Sequence, residues 1–172
     1  LTATINTCKR NQTARHHTAT HLLQKALRTV LGTHVAQAGS LVSEDILRFD
    51  FSHFKALTKD ELVLVEKTVN SSIRKNFKVS IEEMSIDNAR QKGATALFGE
   101  KYGETVRTVT VGTDAETYSM ELCGGTHVKR TGDIGAFKII SETSIGSGVR
   151  RIEAVAGRSA DKYFNELEQQ IE

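Results

Sequence analysis

The chain has 172 residues, a formal net charge of +2 and 38% hydrophobic residues, which is an ordinary composition for a soluble globular protein. This length is enough for one domain with a sizeable core, and no apolar run approaches the roughly 18 residues that a membrane span needs. Two cysteines are too few for a disulfide framework, and the small net charge argues against a strongly basic nucleic-acid binder. We therefore expect a single cytoplasmic domain over residues 1–172, with Cys8 as a small buried residue.

Basic residues form four doublets along the chain: Lys9-Arg10, Arg74-Lys75, Lys129-Arg130 and Arg150-Arg151. Each doublet by itself is typical of a solvated surface. A local basic patch forms only if the fold brings some of these doublets together.

A long helix is predicted over residues 12–31. Its apolar residues recur at helical spacing, and Gly32 stands where a C-cap is expected. On a helical projection His17 and His21 lie within about 40° of each other, nearly opposite the apolar stripe. This pair is therefore expected to line a cleft and not the core.

Two other polar residues of this helix lie closer to the apolar stripe. His16 falls beside the stripe, which predicts a histidine in the core with its hydrogen bonds satisfied. Thr20 falls at the border of the stripe, close enough to line the space that His17 and His21 overlook.

Strands and helices alternate through the rest of the chain. Strands are predicted at 34–42, 46–51, 78–86, 105–112, 117–123, 136–141 and 148–157, and helices at 58–73, 87–91 and from 159 onward. Thr58 and Glu61 have capping-box spacing, Asp87 is the expected cap of the short helix, and residues 93–103 are expected to form an ordered loop with a helical turn. Because at least two strand pairs are joined by tight turns, we expect an α+β fold with a largely antiparallel sheet packed with helices.

The strand that ends at Cys123 places Ser119, Glu121 and Cys123 on one polar face. Gly124 and Gly125 follow, and two glycines let the backbone bend tightly enough to bring His127 back beside Cys123. Glu121, like Asp50, is a candidate acid or base, although a carboxylate in such a position is more often solvated.

His17 with His21 and Cys123 with His127 are two pairs of nitrogen and sulfur donors, each with a spacing of four. Together they predict one Zn²⁺ ion that joins the first long helix to a turn at a strand end. Four protein ligands are typical of a closed structural site, whereas the predicted position on a cleft wall favours a site that meets substrate. Both readings stay open at this point.

Six segments carry a resemblance to a known family: RHHTATHLL, VAQAGSLV, LRFDFSH, ALFGEKYG, ELCGGTHV and SGVRRIEAVAG, in this order between about residue 12 and residue 158. With them the chain resembles the editing domain of alanyl-tRNA synthetase. It is similar in its His and Cys pairs to the editing domain of threonyl-tRNA synthetase and to free-standing alanyl-editing proteins. The threonyl type usually has proline where Gly125 and Thr126 stand, and this chain contains no proline.

The resemblance implies a zinc-dependent deacylase that hydrolyses the ester of tRNA(Ala) mischarged with serine or glycine. It implies metal ligands at His17, His21, Cys123 and His127. Within the substrate pocket it implies a contact of Thr20 with the serine hydroxyl, and a role for Gln37. It also implies that Gly148, Arg150 and Arg151 lie near the CCA end of the tRNA acceptor.

The resemblance further implies that the chain is part of an alanine-tRNA ligase. Residues 159–172 would then lead out toward further domains of that enzyme, and this part alone would not activate alanine. A non-catalytic module, held together by zinc and positioning the tRNA acceptor end, is the alternative.

Overall fold

Seven strands and four α-helices follow one another in the computed structural model, which describes residues 2–95 and 102–171. The helices are α1 (Thr7–Leu31), α2 (Lys59–Arg74), α3 (Ile86–Gln91) and α4 (Arg158–Ile171). The strands are β1 (Gln37–Val42), β2 (Leu47–Ser52), β3 (Lys78–Ser85), β4 (Thr105–Gly112), β5 (Thr117–Leu122), β6 (Phe137–Gly146) and β7 (Val149–Ala156).

The strands form two antiparallel sheets, one with the order β1-β2-β7-β6 and one with the order β3-β4-β5. The predicted α+β class with antiparallel pairing is therefore confirmed, although the strands divide between two sheets where one was expected. Tight hairpins join β1 to β2, β4 to β5 and β6 to β7. At the last of these, Gly148 has a φ of +69°, which a residue with a side chain rarely adopts.

The first helix, α1, is packed between the two sheets and beside α2. Leu22, Leu23 and Leu27 are fully buried in the main core. The helix begins at Thr7, ahead of the predicted start at Gln12, because Asn6 caps it by accepting a hydrogen bond from Lys9 N–H at 3.1 Å. No apolar period marks this first stretch, so the earlier start was missed.

His16 lies in the core, as predicted. Its Nε2 accepts a hydrogen bond from Ala156 N–H at 3.0 Å, so its Nδ1 carries the proton and donates to Ser43 O at 2.8 Å. Burial lowers the pKa of His16, in agreement with a neutral ring. This histidine ties α1 to the β1-β2 hairpin and to the end of β7.

Three smaller predictions were wrong. Cys8 is exposed, because it lies in the first turn of α1 beyond the sheets. The cap of α3 is Ser85, whose hydroxyl accepts from Asn88 N–H at 3.3 Å, and Asp87 lies inside the helix. Both Asp50 and Glu121 are buried and not solvated, since each faces a basic partner in the interior.

Other local predictions were confirmed or cannot be compared. The capping box of Thr58 and Glu61 is present at α2, and Gly32 ends α1. Most of the predicted loop at 93–103 lies outside the described residues. Within the described residues no helix is long and apolar enough to cross a membrane.

A candidate metal centre between α1 and the end of β5

Four side chains meet where α1 passes the end of β5: His17, His21, Cys123 and His127. Each offers one ligand atom, and all four ligand atoms lie within 4.8 Å of one another. Cys123 Sγ is 3.3 Å from both His17 Nε2 and His127 Nε2. Ligands on one tetrahedral zinc ion would be about 3.4–3.6 Å apart, given its usual bond lengths. The cluster is therefore positioned to hold one metal ion.

His21 is oriented from behind by Glu121. Its Nδ1–H donates to Glu121 Oε2 at 2.5 Å, and both side chains are buried. The opposite nitrogen, Nε2, is buried and has no hydrogen-bond partner among the described residues. A buried nitrogen without a partner is costly, but a carboxylate-held imidazole with a free Nε2 is the usual arrangement of a metal ligand.

His127 is oriented in the same way by a hydroxyl. Thr18 Oγ1 donates its only hydrogen to Ala14 O at 3.0 Å, so toward His127 Nδ1, 3.1 Å away, it has to accept. The proton of His127 is therefore on Nδ1, and Nε2 keeps its lone pair for the centre of the cluster. Thr18 also accepts from Val128 N–H at 3.1 Å, which fixes the backbone next to His127.

The charges of the cluster favour a cation at its centre. Burial opposes ionisation of Cys123, but the adjoining imidazoles of His127, His17 and His21 outweigh it and lower the pKa of Cys123 to about 3. Burial also opposes a charge on His21, yet Glu121 and Cys123 raise the pKa of His21 to about 10. Burial lowers the pKa of His127 to about 4. A thiolate and at least one neutral imidazole are thus ready to bind metal, and a metal ion would replace a proton on His21.

Residues 123–127 form an irregular segment with a bend at Gly125, and a neighbouring arginine holds it in place. Arg107 Nη1 donates to Cys123 O at 2.6 Å and to Gly125 O at 2.8 Å. Gly125 N–H also points toward Cys123 Sγ at 3.5 Å. The two hydrogen bonds from Arg107 therefore hold the segment through its backbone carbonyls.

The two glycines of this segment have different roles. A Cβ on Gly125 would lie 1.9 Å from His17 Cε1, so the imidazole of His17 occupies the space that a side chain would need. A Cβ on Gly124 would meet nothing within 4 Å. Neither glycine has the positive φ that only glycine tolerates easily. Gly125 is thus required by the close approach of His17, which differs from the expected need for a tight bend.

His17 lies at the open side of the cluster. Its ring is half-buried and lines a cleft of about 490 Å³, together with Arg107, Leu122 and Cys123. Unlike the other two imidazoles, it has no hydrogen bond from Nδ1 to any described residue. The cleft prediction is therefore right for His17 and wrong for His21, because the second sheet covers that part of α1.

The other predicted site residues lie outside the cluster. Thr20 is buried on α1, and its hydroxyl donates to His16 O at 2.9 Å, which leaves the oxygen free to accept. Gln37 begins β1, where its amide donates to Ser40 Oγ at 3.1 Å. No contact joins Gln37 to the four donors.

Gly148, Arg150 and Arg151 lie on the four-stranded sheet. Gly148 O accepts from His53 N–H at 2.9 Å. Arg150 makes two hydrogen bonds to Glu142, at 2.5 and 2.9 Å, and Arg151 makes two to Asp50, at 2.7 and 2.8 Å. Both guanidinium groups are thus already paired with carboxylates within the chain.

Three residues that support the cluster were missed. The role of Glu121 could have been predicted from the sequence, because it lies two residues before Cys123 on the same face of the strand. Thr18 and Arg107 had none, since their contacts join segments far apart in sequence.

Comparison with known proteins places this arrangement in a class. Residues 106–153, which contain β4 to most of β7 and both ligands of the second pair, match the threonyl and alanyl tRNA synthetase second additional domain. The matched segment defines a domain of this synthetase class.

Curated alanine–tRNA ligases are similar to the chain over most of its length. The chain is 63% identical over 158 residues to an alanine–tRNA ligase from Endomicrobium trichonymphae, covering 91% of the chain and 18% of the relative. It is 64% identical over 159 residues to that of Desulfitobacterium hafniense, covering 92% and 18%. It is 57% identical over 169 residues to that of Pseudoalteromonas translucida, covering 98% and 19%. These similarities support an editing-region domain of an alanyl-tRNA synthetase, and the chain spans less than a fifth of the length of these relatives.

Proposed function

We propose that the domain hydrolyses the ester bond of tRNA(Ala) mischarged with serine or glycine, and that the metal it holds is zinc. The observation that supports this most is the state of the donors. Glu121 and Thr18 hold the Nδ1–H groups of His21 and His127, so the Nε2 atoms of both rings face an ionised Cys123 at the edge of an open cleft. A metal ion that replaces the proton on His21 Nε2 would leave both rings neutral. Such a set of neutral imidazoles and one thiolate is a preferred donor set of zinc.

Hydrolysis of an aminoacyl ester requires mainly that the protein position the ester and a water molecule. An aminoacyl ester is already activated, so a held carbonyl and one oriented water are enough for hydrolysis. Zinc at this place would supply Lewis acidity toward the carbonyl or the water. The open side of the cluster, at His17, borders the cleft of about 490 Å³, which is large enough to admit a small ligand.

Thr20 gives a physical basis for selecting serine. Its hydroxyl hydrogen is taken by His16 O, so the oxygen can only accept, and a serine hydroxyl is a suitable donor. Alanine has no hydroxyl and would leave this buried acceptor without a partner, which costs binding free energy.

The Thr20→Val variant tests this role. We expect a smaller ratio of Ser-tRNA(Ala) to Ala-tRNA(Ala) hydrolysis, with an unchanged metal content. Thr29→Val is the matched control, because Thr29 on the same helix also donates to the carbonyl four residues earlier, at 2.8 Å, but is exposed. Equal ratios for the two variants would remove Thr20 from the pocket.

A second candidate function rests on the number of ligands. Four protein donors fill a tetrahedral zinc ion and are typical of structural sites. On this view the domain is a non-catalytic module that positions the tRNA acceptor end for another part of the synthetase.

Deacylation assays separate the two candidates. The zinc-loaded chain is incubated with Ser-tRNA(Ala) and with Ala-tRNA(Ala), beside the Cys123→Ala variant. Rapid loss of serine alone, abolished in the variant, supports hydrolysis. A rate no higher than the uncatalysed one at full zinc occupancy supports the module. We place this activity in the cytoplasm and within an alanine-tRNA ligase, whose remaining domains would bind the rest of the tRNA.

A further inference from the structure

Two of the basic doublets are brought together by the fold. Arg10, from the first doublet, and Lys129, from the third, line one groove of about 470 Å³ with Arg15. The same groove is lined by the metal-cluster residue His127. A concentration of positive charge, which the net charge of +2 does not reveal, therefore lies directly beside the candidate metal centre.

The charges in this groove are largely uncompensated. Arg10 and Lys129 are exposed, and among the described residues their side chains have no hydrogen bond or ion pair. Arg15 donates to two neutral acceptors, Asp133 O at 2.9 Å and Gln12 Oε1 at 3.3 Å, so its charge is not neutralised. Three cations thus face one carboxylate, that of Asp133, which itself accepts from Arg130 N–H.

The basic side chains in the cleft beside His17 and on β7 are already bonded within the chain. In the cleft beside His17 the cation is Arg107, which is bonded to two backbone carbonyls. On β7 the guanidinium groups of Arg150 and Arg151 each hold a carboxylate. The groove of Arg10, Arg15 and Lys129, here called the basic groove, therefore offers uncompensated positive charge directly beside the metal-cluster residue His127.

We infer that the basic groove binds the phosphodiester backbone of the RNA strand whose 3′ end reaches the metal cluster. This inference rests on the proposed function, because that function requires an ester at the end of an RNA chain to arrive at the metal cluster. A strand lying in the groove brings its phosphates to Arg10 and Lys129 while its end enters the cluster. Half-buried Thr126, which precedes His127 in the chain, also lines the groove and adds a hydroxyl to it.

Salt dependence of RNA binding tests the inference. The probe is a labelled, uncharged acceptor-stem hairpin ending in single-stranded CCA, titrated with the full zinc-loaded chain at several salt concentrations. The test variant carries Arg10→Gln and Lys129→Gln. Its matched control carries Arg74→Gln and Lys67→Gln, which remove the same charges from exposed positions of α2. Zinc content per chain shows that all three proteins keep the fold.

We expect the test variant to bind about tenfold more weakly at low salt, with a slope of log K against log salt reduced by about 1.4, since each single-strand phosphate contact contributes roughly 0.7. The control should keep the slope of the unchanged chain. Equal slopes for test and control variants would overturn the inference, and so would a failure of the unchanged chain to bind the hairpin at low salt. Equally tight binding of a polyglutamate peptide of matched charge would overturn the assignment to RNA. Because the hairpin carries no amino acid, the result does not depend on whether the domain hydrolyses esters.

Discussion

The metal cluster and strand β7 are both rich in polar groups, but they differ in whether those groups are satisfied. At β7, Arg151 donates two hydrogen bonds to Asp50, and Arg150 donates two to Glu142. In the cluster, His21 Nε2 is buried without a partner. A satisfied pair stabilises the fold by itself, whereas an orphaned buried nitrogen is tolerated where a ligand completes it.

The three histidines of the cluster are also held in two different ways. Glu121 and Thr18 hold His21 and His127 from behind, whereas His17 is kept in place by its fit against Gly125. The inner side therefore fixes where the metal lies, and the outer side leaves access from the cleft. Substitutions on the inner and outer sides of the cluster should therefore differ in how much they weaken metal binding.

The largest effect is expected for Gly125→Ala. The new methyl group would occupy the place of the His17 ring, so His17 has to leave the cluster and the segment has to shift. We expect metal binding and any deacylation to be lost. Gly124→Ala is the control, since its methyl group meets open space and should leave metal content unchanged. The metal content per chain distinguishes the two variants. Full occupancy in Gly125→Ala would contradict the packing seen at His17.

A smaller loss is expected for Glu121→Gln. The amide removes the negative charge that holds His21 as an Nδ1–H donor, and loss of such an outer partner typically weakens metal binding 10- to 100-fold. Competition with a chelator measures the affinity. Glu142→Gln provides the comparison, because it removes another buried carboxylate from an ion pair that lies on β6 and contacts no donor. If both variants bind metal equally well, Glu121 has no role in orienting His21.

Thr18→Val should weaken metal binding by about fivefold, or ~1 kcal/mol, since one neutral hydrogen bond to His127 is lost. The backbone N–H of Val128 loses its acceptor as well, so a modest loss of stability accompanies the change. Chelator competition against Thr29→Val checks this. An affinity equal to that of the control would show that the tautomer of His127 is fixed in some other way.

Asp50→Asn should leave metal affinity unchanged and lower only stability, by about 1–3 kcal/mol. Hydrogen bonds from Arg151 lower the pKa of Asp50 in the folded state, so the stabilisation is complete above the unfolded pKa of about 3.9. It is lost as the pH falls through the lower folded-state pKa. Unfolding in urea with chelator present, at pH 7 and at progressively lower pH, should show the difference between the two proteins shrinking below about pH 4. A difference that grows in acid would contradict this sign.

The sequence predicts those parts of the molecule that depend on local pattern. The long helix follows from its apolar period and Gly32, and the second from its capping box. The four donors follow from their spacing, because two pairs on defined elements limit how they can meet. The helical period predicts an open face for His21, because it marks only the apolar stripe as buried, whereas the second sheet covers the other side of α1.

The remaining features depend on contacts between distant segments. The need for glycine at 125 comes from a ring 108 positions earlier in the chain, and no local rule separates it from Gly124. The convergence of Arg10 and Lys129 likewise requires the start of α1 to lie against the segment after His127. Such pairs become visible only when the chain is folded.

The proposed function depends on one zinc ion held by three imidazoles and one thiolate of this chain. X-ray absorption spectroscopy of the zinc-loaded protein tests this coordination most directly, together with the metal content per chain. We predict one zinc per chain, with one sulfur ligand at about 2.3 Å and three nitrogen ligands at about 2.0–2.1 Å. The sulfur contribution should vanish in Cys123→Ala. A stoichiometric zinc site without a sulfur ligand in the unchanged protein would contradict the account.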